Sequence, residues 1–193
     1  MKKKIIAIII ILVLFLSCLT TYLIYLNRGY TVKEIYIINK DNQHIYTQLY
    51  KPKKSGKMPI VIYSHGLGAT YRAGIDYAKE LANYGIATIT LDFRGGSDRS
   101  KSDGSTKEMS FLTEMEDLET VLEEIKTWDF VDTDNIILMG SSQGGAISAL
   151  VSAKRDDIKG AILLYPALGI PSHVSRRFKD KDSIPEEVQM TGK

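Results

Sequence analysis

From Thr31 onward the chain switches between two hydrophobic periods, and the switches mark out its elements. The segments "TVKEIYIIN" and "QHIYTQLYKP" alternate polar and apolar residues around the turn-forming "KDNQ", which predicts an antiparallel hairpin. "MPIVIYSHG" is apolar without alternation, as expected of a strand covered on both faces. Ile75, Ala78, Leu81 and Ala82 then recur at helical spacing up to Gly85, and "IATITLDF" reads as a second buried strand. After the loop-like "RGGSDRSKSDGSTKEM", residues Leu112, Met115, Leu118, Val121, Leu122 and Ile125 define one face of a helix, with Thr113 and Glu116 placed for a capping box. "NIILMG" predicts a strand, "QGGAISALVSA" a helix and "IKGAILLYPAL" a further strand. Beyond Gly169 the chain is polar, with a short helix expected around Pro185–Val188. A hairpin followed by alternating strands and helices predicts an α/β architecture: a mostly parallel, doubly wound sheet with helices on both faces.

The first 29 residues follow a different rule. No residue from Ile5 to Leu26 is charged, and a helix of that length spans about 33 Å, matching a hydrocarbon core of about 30 Å. A cleaved signal peptide has a shorter apolar region closed by a small-x-small site, which is absent. A lipoprotein signal ending at Cys18 fits poorly, because Phe15 and Leu16 precede it and the sequence after it stays apolar. The expectation is therefore an N-terminal transmembrane anchor over residues 1–29, followed by one domain over 30–193. Lys2, Lys3 and Lys4 place the N-terminus in the cytoplasm and the domain outside it, in a setting such as a bacterial cell envelope.

Composition narrows the function classes. A formal net charge of +2 gives no support to nucleic-acid binding, for which a clustered basic face would be expected. The short runs at Lys51–Lys54 and Arg176–Arg177 read as solvated loops. Cys18 is the sole cysteine, so no intrachain disulfide can form, and three scattered histidines suggest no metal site. No cofactor is implied.

The candidate chemistry lies at three strand ends, where pockets of such sheets open. Gly140-Ser141-Ser142-Gln143-Gly144 fits G-x-S-x-G between a strand and a helix, a turn that lifts a nucleophilic serine above the sheet. Ser142 is the candidate nucleophile. Acyl transfer also needs two backbone donors for the oxyanion, and the amides of Leu67, in His65-Gly66-Leu67-Gly68, and of Gln143 are the candidates. Gly66 allows that loop a close approach, and His65 is expected to fix the loop through hydrogen bonds. At the third strand end, Asp92 and Arg94 are expected to lock loops by ion pairing and hydrogen bonding. The acidic run Glu114, Glu116, Asp117, Glu119, Glu123 and Glu124 reads as the solvated face of its helix.

Together "HGLG", "DFRG", "FLTEMEDLETVLEEIK" and "GSSQGG" resemble the α/β-hydrolase superfamily, and within it the serine-aminopeptidase-like group that includes bacterial cinnamoyl and feruloyl esterases. The resemblance implies a sheet of the α/β-hydrolase type, Ser142 as nucleophile, Leu67 and Gln143 as oxyanion donors, and a small-molecule ester or short peptide as substrate. Carboxylic-ester hydrolysis through an acyl-enzyme is the leading expectation; a peptidase- or lipase-like hydrolase is the alternative. Gly95-Gly96-Ser97 departs from the group's D-x-R-G-x-G-x-S. In the superfamily the acid and then the histidine follow two further strands. Here Asp156 and Asp157 fall before the last strand, on the side away from the pocket, while His173 follows it with only Asp180 or Asp182 to orient it. The expectation is that the chain stops in a lid region after the sixth strand, without the triad acid and base. That leaves "AILLYPAL" as an apolar sheet edge and raises the alternative of a catalytically inactive, membrane-tethered fragment.

Overall fold

The computed structural model describes residues 2–169. It opens with helix α1 (Lys2–Asn27), followed by the hairpin β1 (Tyr30–Ile38) and β2 (His44–Pro52). Next come β3 (Met58–Ser64), α2 (Ile75–Asn83), β4 (Ala87–Leu91) and α3 (Phe111–Lys126). β5 (Val131–Ser141), α4 (Ser142–Ser152) and β6 (Gly160–Leu164) complete the described order. The six strands form one sheet in the order β1-β2-β4-β3-β5-β6. β4, β3, β5 and β6 run parallel, and the hairpin is attached antiparallel through β2.

Alternation along the strands divides the core. Ile60 and Ile62 of β3, Ile89 and Leu91 of β4, and Ile136 and Leu138 of β5 face α3 and α4, where Leu118, Val121, Leu122, Ile125, Ile147 and Val151 close over them. Val61, Tyr63 and Met139 face the other way, where Leu81 of α2 packs on them. Each such side chain contributes about 1.5–3 kcal/mol relative to exposure. Helices thus cover both faces, as the patterns predict. α2 ends in a Schellman motif, in which the Ile86 and Gly85 amides donate to the carbonyls of Leu81 and Ala82 while Gly85 takes a positive φ of 84°.

The start of α3 corrects one expectation. Its N-cap is Ser110, whose hydroxyl accepts from the Thr113 amide at 3.2 Å, while the Thr113 hydroxyl accepts from the Ser110 amide at 2.8 Å. The box therefore sits one turn before Thr113–Glu116, because Ser110 is the last residue with extended backbone. Leu112, expected on the apolar face, is exposed in the first turn. β5 also begins four residues before Asn135, at Val131, because Val131 already faces Met58 of β3.

Two apolar surfaces stay uncovered among the described residues. β6 pairs only with β5, and Ile162 and Leu163 on it are partly exposed. α1 is long and apolar enough to cross a membrane over Lys4–Leu23, at a mean hydropathy of 2.8, and that window buries nothing against the domain.

Candidate active site

β5 runs into α4 without a loop, and the reversal is concentrated in one residue. Ser142 has a φ of +50°, a left-handed conformation that strains any residue with a Cβ. Glycines make the turn possible by admitting close backbone contacts. A side chain at Gly140 would collide with the Gly144 carbonyl, and one at Gly144 with the carbonyls of Ser64 and His65. The turn is also held from outside, since the Ser142 carbonyl accepts from the Ala167 amide at 2.8 Å.

The loop after β3 lies directly against the serine. A Cβ on Gly66 would stand 3.1 Å from the Ser142 Cβ and 3.7 Å from its Oγ. His65 anchors this loop from below. Its Nε2 accepts from the Phe93 amide at 3.2 Å, which leaves the proton on Nδ1 to donate to the Gly66 carbonyl at 2.8 Å. Burial keeps its pKa below the usual histidine value, so the ring stays neutral. The Gly68 amide joins the loop to the Gly96 carbonyl at 3.2 Å. Leu67 stands half-exposed at the mouth, and among the described residues its amide has no acceptor.

The third strand end holds its own loop in place. Asp92 is buried, its Oδ1 accepting from the Tyr71 amide at 2.6 Å and its Oδ2 from the Lys101 amide at 2.8 Å. Arg94 is nearly buried: its amide donates to Asp117 Oδ2 at 2.7 Å, its Nε to Asp117 Oδ1, and its two terminal nitrogens to Gln43 and to Glu116 Oε2. Glycines at 95 and 104 let the departing segment fold back, with the Gly95 amide donating to the Asp103 carbonyl at 3.1 Å.

Here the structure corrects the reading of α3 as carrying a solvated acidic face. Glu114 and Asp117 are buried. Glu114 Oε2 accepts from the Gln143 side-chain Nε2 at 2.7 Å, so a carboxyl on α3 holds the residue after the serine. Burial raises the Glu114 pKa to about 7. The signal was present in the helical phase: 114 and 117 stand four residues before Leu118 and Val121, on the buried stripe. Counting charges along the run concealed it.

None of the acid or base candidates among the described residues reaches the serine. Asp157 is bound by Arg155 and Lys126, which hold its carboxyl well below the usual range, and it precedes β6 at the opposite end of the sheet. Asp156 is its neighbour in the same turn. His44 pairs with Asp103 at 3.0 Å on β2, three strands from β5, a lateral separation of about 14 Å. His173, Asp180 and Asp182, with the short helix expected near residue 185, lie outside the described residues. Among the described residues no cluster of three His, Cys, Asp or Glu side chains could hold a metal ion.

A family model described as serine aminopeptidase, S33, matches residues 56–186. Monoglyceride lipase from Mus musculus is 29% identical over 133 residues, covering 68% of this chain and 42% of the lipase. The structure of Est1E from Butyrivibrio proteoclasticus with ferulic acid bound superposes with a TM-score of 0.72 at 30% identity, over 81% of this chain and 64% of that one. The α/β hydrolase GrgF from Penicillium sp. sh18 superposes at 0.65 and 21% identity, covering 82% of this chain and 63% of that one, a likeness of fold. The chain spans less than half the length of the curated relatives it matches.

Proposed function

The chain belongs to the serine aminopeptidase S33 family of α/β-hydrolases, and from that premise we propose that it cleaves carboxylic esters through an acyl-enzyme on Ser142. The observation that carries this reading is the strained Ser142 at the strand–helix junction, with the Gly66 loop packed on its Cβ. Ser142 Oγ attacks the ester carbonyl. The amides of Leu67 and Gln143 receive the oxyanion, and the positive end of α4 adds to its stabilisation. The alcohol leaves, and water then releases the acid from the serine ester. His65, Asp92 and Arg94 act by holding the loops that carry these donors.

His44 and His65 are both engaged elsewhere, so neither is free to serve Ser142 as the general base. Without such a base the site would keep only the smaller part of its catalysis, due to the oxyanion donors and binding. That engagement favours one second reading: a membrane-tethered protein that binds acyl compounds without turning them over.

A fluorophosphonate probe on the folded full chain separates the two. Covalent labelling that maps to Ser142 and is abolished in Ser142→Ala supports the ester hydrolase. No labelling of wild-type protein would leave the binding reading. Hydroxycinnamoyl esters are the first substrates to assay, given the ferulic acid in the Est1E structure. α1 serves as a membrane anchor, with the N-terminus cytoplasmic and the domain on the other side.

A further inference from the structure

Resting on that reading, we propose that α1 tethers the domain by the end opposite Ser142, so that the enzyme works on esters dissolved in the aqueous phase and not on acyl chains lying in the bilayer. The strand directions carry the inference. β1 is antiparallel to β2, and β2 is antiparallel to β4, so β1 runs in the same sense as β4, β3 and β5. The start of β1 is therefore at the amino end of the parallel strands, while Ser142 follows the carboxyl end of β5.

Registers give the height between them. Tyr30 faces Pro52, two residues beyond Tyr50, which faces Thr88 of β4. Ala87 is level with Ile60, and Ile60 with Ile136 of β5. Tyr30 thus stands near the level of Ile136, and the climb to Ser142 is about 20 Å at roughly 3.3 Å per residue. The attachment is also short. α1 ends at Asn27, and the Gly29 carbonyl already accepts from the Lys53 amide at 2.8 Å, which leaves Arg28 as the one residue between helix and sheet. A linker of that length cannot carry the domain over onto its other end.

Charge favours the same posture. Lys51, Lys53, Lys54 and Lys57 lie on the attachment side, at the end of β2 and the approach to β3, where an anionic headgroup surface would attract them. The mouth of the site, with half-exposed Leu67, points away from the bilayer.

The test uses the full chain in vesicles that contain phosphatidylglycerol as the anionic lipid. In a Cys18→Ser background, spin labels at Lys57→Cys and at Leu112→Cys are exposed to nickel-chelating lipid headgroups. Leu112 lies in the first turn of α3, two residues before Glu114, which holds Gln143, and is exposed. Strong relaxation at 57 with little at 112 is expected; equal or reversed relaxation overturns the orientation, as does release of the chain from vesicles by carbonate. Second, a water-soluble phosphonate and one carrying a bilayer-resident alkyl chain are compared at Ser142. Both label in detergent, and in vesicles the alkyl probe slows at least about tenfold while the soluble probe keeps its rate, a difference of about 1.4 kcal/mol in barrier. An alkyl probe that keeps its rate in vesicles overturns the proposal. If neither probe labels in detergent, the acyl-enzyme reading has failed, and the spin labels still decide the orientation.

Discussion

Glu114 and Asp117 leave α3 on the side of the sheet, while Glu123 and Glu124, two turns later on the same helix, stand in solvent. The residue types are the same; the consequences differ. Glu114 grips the side chain of Gln143 beside Ser142, and Asp117 takes the Arg94 amide and guanidinium after β4. Glu123 reaches Arg155 and Lys126 across an exposed surface. Helical phase, not composition, decides which carboxylates bind the loops of the site. A buried carboxylate organises its neighbours because desolvation makes an unpaired state expensive there, whereas water can replace any partner of an exposed one.

The largest test of that contrast is Asp117→Ala. It strips two donors of Arg94 of their acceptor in a nearly buried setting, and should cost about 3–5 kcal/mol in denaturant unfolding. A loss below about 1 kcal/mol would place Asp117 with the surface carboxylates.

Glu114 gives a pH signature instead. Its folded pKa of about 7 lies above the ordinary value of 4.5, so between those pH values the folded state binds more protons than the unfolded state. Stability from this group is therefore fully present below about 4.5 and is lost as pH rises through 7. Relative to Glu114→Gln, wild-type protein should lose up to about 3 kcal/mol over that window. Parallel pH profiles for the two proteins would count against the buried carboxyl.

Two smaller effects complete the series. Ser110→Ala removes the acceptor of the capping box and should cost about 1 kcal/mol in thermal unfolding, without altering the Glu114 profile. Glu123→Ala should change stability by less than about 1 kcal/mol, and less again in high salt. A larger loss there would mean that the Arg155–Asp157–Lys126 cluster acts as a single network.

The hairpin, the helices on both faces and the serine turn could all be read from the residues, because each depends on patterns within about a dozen positions. The period-2 segments did become β1 and β2, and Ile75 to Gly85 became α2 with its glycine cap. What escaped were contacts between segments. The pairing of Gln143 with Glu114 joins residues 29 apart in sequence, and that of Arg94 with Asp117 joins residues 23 apart. The true N-cap of α3 was missed for a related reason: Thr113 and Ser110 are both good capping residues, and the departure of the preceding loop chose between them.

By itself the sequence determined the local backbone: an apolar helix, strands that bury alternate side chains, and a glycine-flanked serine that only a sharp turn accommodates. Those are properties of short segments, set by sterics and by the periodicity of apolar residues. The tertiary structure alone decided that β4 lies between β2 and β3, that Glu114 holds Gln143, and that α1 joins the sheet at the end away from Ser142. Strand order and such contacts come from how whole elements bury their faces together, a choice that no single segment encodes.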